Sequence, residues 1–441
     1  MTSLNKVGFV SLGCSKNLVD TENMIGILKN KGYSIVSDPS EADIIVVNTC
    51  GFIDSAKEES IVAILEMAEY KKENCRILVA AGCLAQRYSE EIKKDLPEVD
   101  AIIGTGSYKD IAEAIEAAAK NGKSEYKGDI NFEVSDEVRE RTTPFYTAFI
   151  KIAEGCDNFC TYCAIPSIRG RYRSRRMEDI VSEAEKMADE GVKELILVAQ
   201  DTTRYGTDLY GEKKLPELLR RLCAIEKISW VRVHYCYPEE IDEALIESFK
   251  NEEKLVKYLD IPVQHGCDSV LKRMGRKTSR EEITKKVAAL RAKVSGVTIR
   301  TSIIAGFPGE SEDEFSELLD FIEEVKFDRM GVFAYSQEEG TPAAKLPGQI
   351  DEEVKEARRG IVMELAQKIS HARNESMIGK AFDVLVEGFE DNLYFGRSGA
   401  ESVDVDPKIY FGSNEELDEG QFVKVRILDC DEYDLYGQQV E

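Results

Sequence analysis

Three cysteines, Cys156, Cys160 and Cys163, fall within the run "GCDNFCTYC", directly after the strand-like "AFIKIAEG" (148–155). No other feature constrains the local fold as tightly. Three thiols on one short polar turn cannot all be buried as small apolar side chains, so the turn must be built around something they ligate. The spacing C-x₃-C-x₂-C lets each thiolate bind a different iron of a 4Fe-4S cube. The fourth iron stays open to a non-protein ligand, whereas structural clusters use four cysteines. Zinc requires four ligands within reach, and none of the three histidines lies near this loop.

The surrounding pattern sets the turn in a strand–helix series. Further strands are expected at "ELILVAQ" (194–200), "WVRVHY" (230–235), "KYLDIPV" (257–263), "TIRTSIIAG" (298–306) and "MGVFAYS" (330–336). Six strands with helices between them predict a partial (βα)₆ barrel. Upstream, "VGFVSLG" (7–13), "DIIVVNTC" (43–50), "RILVAAGC" (76–83) and "AIIG" (101–104) alternate with helical patterns and predict a doubly wound parallel sheet. Residues 121–145 are polar, irregular and mostly charged, and read as a linker. After a helical segment ending near 375, "FDVLVEGF", "NLYFGRS", "KIYFG" and "QFVKVRILDC" predict a small C-terminal β-barrel. The α/β chain therefore divides into 1–125, a linker at 126–145, a barrel at 146–372 and the small β-barrel at 373–441. No apolar run approaches the ~18 residues of a membrane span, and no basic start leads into a sustained apolar stretch. A cytoplasmic location is expected, where eleven cysteines do not form a disulfide framework.

Cys14, Cys50 and Cys83 each stand at the carboxyl end of a predicted strand, in "GCSKN", "NTCGF" and "AGCLAQ". In an open α/β sheet that edge is where ligands bind, and three thiols from three strands suit a second site-differentiated cluster. Cysteine is also common in buried strands. Cys75 fits that simpler use, as do Cys223, Cys236, Cys267 and Cys430.

The C-x₃-C-x₂-C turn on the first strand of a partial barrel resembles the radical S-adenosylmethionine (SAM) superfamily. The resemblance implies that the open iron binds the amino and carboxylate groups of SAM. It further implies that a reduced cluster donates one electron to break the sulfonium bond, and that a 5′-deoxyadenosyl radical abstracts hydrogen from an unactivated carbon. "IIAGFPGE" (303–310) is similar to the superfamily's adenine-contacting segment, with Gly306 and Gly309 allowing close backbone approach and a helix N-terminus following. Gln200, Asp201 and Gln264, at the ends of the second and fourth strands, become candidate SAM contacts. His265 is either a pocket residue or a satisfied structural histidine.

With the second trio included, nearly the whole chain resembles the radical-SAM methylthiotransferases. That family has a flavodoxin-like N-terminal domain, a radical-SAM barrel and a terminal TRAM domain. By this resemblance Cys14, Cys50 and Cys83 hold an auxiliary 4Fe-4S cluster, and Cys156, Cys160 and Cys163 hold the radical cluster. SAM serves as methyl donor and as radical source, and C–H becomes C–S–CH₃. One branch of the family modifies an adenosine in transfer RNA. The other, RimO-type, modifies an aspartate β-carbon in small-subunit ribosomal protein S-twelve. "SLGCSKNLVD" (11–20), "CAIPSIRG" (163–170) and "YSQEEGTPAA" (335–344) resemble the second branch, and Glu338 and Glu339 stand where the transfer-RNA enzymes tend to carry an arginine.

Charge gives a separate reading. The chain carries 83 acidic and 58 basic side chains, a net −25. Residues 378–441 hold sixteen of the acids and five of the bases, a net −11. Such a module repels phosphate and attracts a basic protein, so a basic ribosomal protein is the expected partner, and direct nucleic-acid binding and membranes are not. Arg169, Arg171, Arg173, Arg175 and Arg176 run against that trend. Clamping of a SAM or substrate carboxylate is the favoured reading, with RNA phosphates and the protein's own acids as alternatives. An electron donor is also implied. A non-catalytic iron–sulfur carrier or redox sensor remains the alternative of another class; it would release no 5′-deoxyadenosine.

Overall fold

In the computed structural model, which describes residues 4–132 and 139–441, strands β1 (Lys6–Ser11), β2 (Ser34–Val36), β3 (Ile44–Thr49), β4 (Ile77–Gly82), β5 (Ala101–Ile103) and β6 (Ser124–Tyr126) form one sheet in the order β2-β1-β3-β4-β5-β6. All neighbours are parallel. Every residue of β3 and β4 is buried, because helices cover both faces of a parallel sheet. Helix α1 (Ser15–Asn30) and the helix Ile111–Asn121 pack on one face through Met24, Leu28 and Ile115. Helix α2 (Asp54–Glu69) packs on the other through Ala63 and Ile64. The short helix α3 (Cys83–Arg87) leaves β4 directly. The strand order reverses between β1 and β3, which opens a crevice at the carboxyl edge.

Two edge strands, β2 and β6, escape the sequence reading, since "SIV" and "SEY" are too short to show alternation. Strand β6 also corrects the linker, because Tyr126 belongs to the sheet. The described ends of that linker are docked. Phe132 meets Tyr108 edge-to-face with ring centres 5.7 Å apart, and Thr142 N–H donates to the Glu22 carboxylate at 2.6 Å. Residues 133–138 of the linker lie outside the described residues.

The second unit contains β7 (Thr147–Lys151), a ribbon of β8 (Ala153–Glu154) with β9 (Arg173–Ser174), and then β10 (Glu194–Val198), β11 (Trp230–Val233), β12 (Leu255–Asp260), β13 (Thr298–Ala305) and β14 (Arg329–Ala334). Strands β7 and β10 to β14 form an open parallel sheet in sequential order, and all six match strands expected from sequence. Alternate side chains of β7 and β10 face opposite ways. Ala148, Ile150, Leu195 and Leu197 enter the helix-covered core. Phe149, Ile196 and Val198 face inward, where Val19 of α1 packs on them. With one side on its own sheet and the other in the barrel mouth, α1 buries Lys16, Asn17, Asp20, Thr21 and Glu22. A largely polar helix is thus interior.

A long helix, Glu352–Glu375, leads to a closed barrel of β15 (Ala381–Glu390), β16 (Leu393–Arg397), β17 (Ile409–Gly412), β18 (Phe422–Cys430) and β19 (Leu435–Gln439). The fifth strand, "LYGQQ", lacks the apolar content that marked the other four. Among the described residues no helix is long and apolar enough to cross a membrane.

The small barrel is fastened to the large one by buried charge. Glu194, fully buried on β10, takes Arg232 at 2.9 Å and Arg397 at 2.7 Å. Burial alone would raise the Glu194 carboxyl, but the two guanidinium groups outweigh it and hold it at about 2, below its ordinary 4.5. A depressed folded-state value stabilises the protein above the unfolded value, and that stability disappears as pH falls through the folded value. Acidification from about pH 4.5 to about 2 is therefore expected to remove roughly 3 kcal/mol from this junction. Thermal unfolding against pH measures it. Glu194→Gln should flatten the profile in that window, and an unchanged profile would contradict the assignment.

Candidate active site at the domain junction

Cys14, Cys50 and Cys83 follow β1, β3 and β4 on the same sheet edge. Glycines let the three turns nest. A side chain at Gly13 would place its first carbon 2.9 Å from Cβ of Cys50, and one at Gly51 would come within 2.8 Å of the Leu84 backbone. Asn17 ties the ends of β1 and β3 together, donating to the carbonyl of Leu12 at 2.7 Å and to that of Thr49 at 3.3 Å. Cys50 N–H donates to the Ser60 hydroxyl at 3.0 Å.

The electrostatics of the three thiols differ. Cys14 is exposed at the sheet edge; the protein around it opposes its ionisation, but Lys16, Arg169 and the N–H groups at the start of α1 outweigh this and lower its pKa. Burial pushes Cys50 up to about 11, and burial also raises Cys83, with Arg169 opposing. Arg169 donates to the Cys83 sulfur at 3.5 Å, to Asn17 at 3.1 Å, to Asp20 at 2.6 Å and to Glu154 at 3.2 Å.

The second trio lies on the loop after β8. Cys156 and Cys160 are buried and Cys163 is half-buried. The backbone already presents N–H groups to sulfur, from Asn158 to Cys156 at 3.4 Å and from Ile165 to Cys163 at 3.5 Å. The ribbon fixes the loop's base, with Cys156 N–H donating to the carbonyl of Gly170 at 3.1 Å. Phe159, between the cysteines, adopts a left-handed backbone with φ 51°, a strain typical of functional turns. Burial pushes Cys156 up to about 11 and raises Cys163 further, with Cys160 adding to it.

The two trios adjoin. Cys83 packs on Ala164 and Ile168, in the turn that begins at Cys163. Among the described residues no three His, Cys, Asp or Glu side chains converge on a single-ion site. Mononuclear zinc would gather its thiolates at about 2.3 Å from one atom; a cube assigns each thiolate its own iron and needs a wider triangle. The donor set, all thiols with backbone N–H groups aimed at sulfur, suits the cube.

The candidate SAM residues divide. Gln200 donates to Glu154 at 2.8 Å, while its buried carbonyl oxygen has no partner among the described residues. Asp201 is fully buried, held by Asn158 of the cysteine loop at 2.9 Å and by Thr203 at 2.6 Å. Burial pushes its carboxyl up to about 6 although both hydrogen bonds oppose this. Gln264, with φ 73°, bridges to β13 through its backbone. Gly306 has another use within the chain. Its left-handed φ is 75°, and a side chain there would meet Lys355 at 2.6 Å, so helix Glu352–Glu375 takes the space. Gly309 faces no side chain closer than Arg273, at 3.9 Å. The helix N-terminus beyond is closed by its own capping box of Ser311 and Glu314. Phe307, between the glycines, packs with Tyr162 of the cysteine loop. His265 is the satisfied structural histidine: it is fully buried, its Nδ1 accepts from Cys267 N–H at 3.0 Å, and its Nε2 lies 3.2 Å from Glu310.

The arginine run corrects the favoured reading. Arg169 pairs with Asp20 and Glu154, and Arg175 is buried against Glu183 at 2.7 Å. Arg173 donates to the backbone carbonyls of Phe132, Arg169 and Arg171. Arg171 pairs with Asp157 and Arg176 with Asp179, both largely exposed. The protein's own carboxylates take the charge of Arg169 and Arg175, and backbone carbonyls that of Arg173. Sequence reasoning missed Lys151 and Glu154, which form the floor of the network at 2.7 Å. The available signal was two charges inside an otherwise apolar strand run.

Glu338 closes the junction from the other side. It is 2% exposed and accepts from Arg87 at 2.7 Å and Lys57 at 3.0 Å, while the Glu339 carbonyl accepts from Arg87 at 2.6 Å. The Glu-Glu pair thus clamps α3, whose first residue is Cys83, to the barrel. Removing one partner of a buried pair costs roughly 3–5 kcal/mol. Glu338→Ala is expected to lower the melting temperature by several degrees; an unchanged melting curve would contradict the clamp.

A cleft of about 350 Å³ opens at Cys14, lined by Gly13, Cys14, Phe149, His234, Tyr235 and the small-barrel loop at Val403. All three units meet there. Lys16 Nζ sits 3.5 Å above the Tyr235 ring, and Tyr235 itself has φ 60°. Burial holds His234 at about 3, so it is neutral against the Ser402 hydroxyl at 2.7 Å.

Comparison with known proteins gives matches over the same three units. Profiles of the uncharacterized protein family UPF0004, the Radical SAM superfamily and the TRAM domain match residues 6–104, 150–322 and 378–440. The ribosomal protein uS12 methylthiotransferase RimO of Acetivibrio thermocellus is 54% identical over 99% of this chain and 98% of its own length. That of Clostridioides difficile is 52% identical over 98% of each. Among solved structures, the radical SAM methyltransferase TsrM from Kitasatospora setae, with cobalamin and a [4Fe-4S] cluster bound, aligns with TM-score 0.55 at 14% identity, covering 78% of this chain and 77% of that one. The cobalamin-dependent radical enzyme OxsB aligns with TM-score 0.52 at 15% identity, over 83% of this chain and 56% of its own. At those identities the likeness is one of fold.

Proposed function

This chain belongs to the RimO family of ribosomal protein uS12 methylthiotransferases, and from that premise we propose that it replaces a C–H bond at an aspartate β-carbon of uS12 with C–S–CH₃. It is a radical-SAM enzyme, a class that uses SAM and a 4Fe-4S cluster. In our reading Cys156, Cys160 and Cys163 hold that cluster, and Cys14, Cys50 and Cys83 hold a second. When bound, the barrel cluster would supply the electron, SAM the hydrogen-abstracting radical and the methyl group, and the second cluster would hold the sulfur to be inserted.

The chain's own residues bind, orient and exclude water. Gln200 offers a buried carbonyl oxygen with no partner among the described residues, suited to the SAM amino group. Asp201 holds the loop through Asn158, and Gln264 and Gly309 remain candidate SAM contacts. Lys16 and Arg169 keep the Cys14–Cys83 side electropositive. Helix α1 and the Val403 loop fill the barrel mouth. The net −11 over residues 378–441 favours a basic protein substrate over nucleic acid, met in the cytoplasm, and an electron donor completes the cycle.

The observation that carries this reading is the packing of Cys83 on Ala164 beside Cys163, which brings the two trios together. The test is anaerobic incubation of the iron-loaded protein with SAM, a reductant and either uS12 or transfer RNA. Mass spectrometry should find one CH₃S in place of hydrogen on a uS12 aspartate. Its appearance on transfer-RNA adenosine instead would overturn the substrate choice.

A further inference from the structure

Arg276 is 6% exposed, yet its Nε and Nη1 have no hydrogen-bond partner among the described residues. Its Nη2 donates to the carbonyl of Pro262 at 3.1 Å and lies 3.5 Å from Glu239, and the guanidinium stacks 4.5 Å above the Tyr237 ring. Buried charged donors are rarely left unpaired, because the desolvation cost is then uncompensated. Two free N–H groups on a fixed planar fork mark a place where an anion belongs.

The fork lies against the C-x₃-C-x₂-C loop. Thr161, between Cys160 and Cys163, donates its N–H to the Met274 carbonyl at 2.9 Å and its hydroxyl to the Arg273 carbonyl at 2.8 Å. A side chain on Gly275 would sit 3.4 Å from Thr161 and 3.6 Å from the Phe159 carbonyl. Tyr162 packs against the apolar cluster that contains Val270, Met274 and Phe307. The turn 273–276 is thus the bed of the cysteine loop, and the guanidinium at its end lies between Glu239, the Tyr237 ring and that loop.

We propose that Arg276 is a positioning residue for the cluster on this loop: its Nε–H and Nη1–H donate to the anionic sulfur face at Cys160, and its fixed positive charge raises the cluster's reduction potential. The inference rests on the reading that Cys156, Cys160 and Cys163 carry a cluster. Three thiolates give that centre a net negative charge which grows on reduction, so a nearby cation and donated hydrogen bonds favour the reduced form. Lysine would keep the charge but lose the fork.

The test is a redox titration of the full-length, iron-loaded protein followed by electron paramagnetic resonance, with and without SAM, for the unmodified chain, Arg276→Lys and Arg276→Gln. Without SAM, Arg276→Gln should keep its iron but show about tenfold less reduced barrel cluster at a fixed potential, about 59 mV for one electron. Arg276→Lys should fall between. Equal potentials without SAM would overturn the proposal. Equal potentials with weaker SAM binding would also overturn it, assigning the fork to the SAM carboxylate. If Arg276→Gln fails to retain iron, Arg276→Lys decides: an unshifted potential overturns the proposal and a lowered one supports it. Failure of the underlying reading has a different signature, namely barrel iron that survives alanine at all three cysteines.

Discussion

Alanine at Cys156, Cys160 and Cys163 together is expected to halve the iron, from roughly eight to roughly four per chain, and to reduce SAM cleavage to the level of the iron-free protein. The loop is held by contacts that do not involve the thiols. Thr161 is anchored on the turn 273–276, the Thr161 carbonyl accepts from Ala343 N–H at 2.9 Å, and Asn158 is held by Asp201. The fold should therefore survive, and the loss should be of chemistry rather than of stability. Iron analysis, circular dichroism and 5′-deoxyadenosine release measure the three quantities. Release that persists in the triple variant would place the radical chemistry elsewhere.

Alanine at Cys14, Cys50 and Cys83 should give the complementary result. Iron again falls to roughly four per chain and transfer of sulfur to uS12 stops, but SAM cleavage continues. The separation follows from the architecture. These three thiols stand on the edge of a sheet with its own two cores, and the barrel trio is fixed by the β8–β9 ribbon and the turn 273–276. The coupling between them runs through Cys83, Ala164 and Arg169. Loss of cleavage while the barrel cluster remains intact would show that the auxiliary trio does more than handle sulfur.

The parallel strands were legible because burial on both faces writes them as continuous apolar runs, as in "DIIVVNTC" and "ELILVAQ". Edge strands such as β6 carry no such run, and their place is fixed by a neighbour's backbone. The cysteines could be placed at strand ends because the flanking glycines punctuate the strands. What sequence could not supply was partnership. Arg169 finds Asp20, 149 positions earlier, and Cys83, 86 positions earlier, so in a basic run that suggested an outward clamp Arg169 is turned inward, as is Arg175. Gly306 likewise matched a ligand-approach motif, yet its missing side chain makes room for Lys355. Arg276 gave no signal at all, since an arginine in "KRMGRKTS" looks solvated until its burial is known.

The most direct measurement is iron-edge anomalous diffraction from crystals of the anaerobically iron-loaded protein. Two four-iron centres are expected, one on Cys14, Cys50 and Cys83 and one on Cys156, Cys160 and Cys163, each with a single iron free of protein ligands. A single centre, a fourth protein ligand on either cube, or two centres separated by the full breadth of the barrel would contradict it.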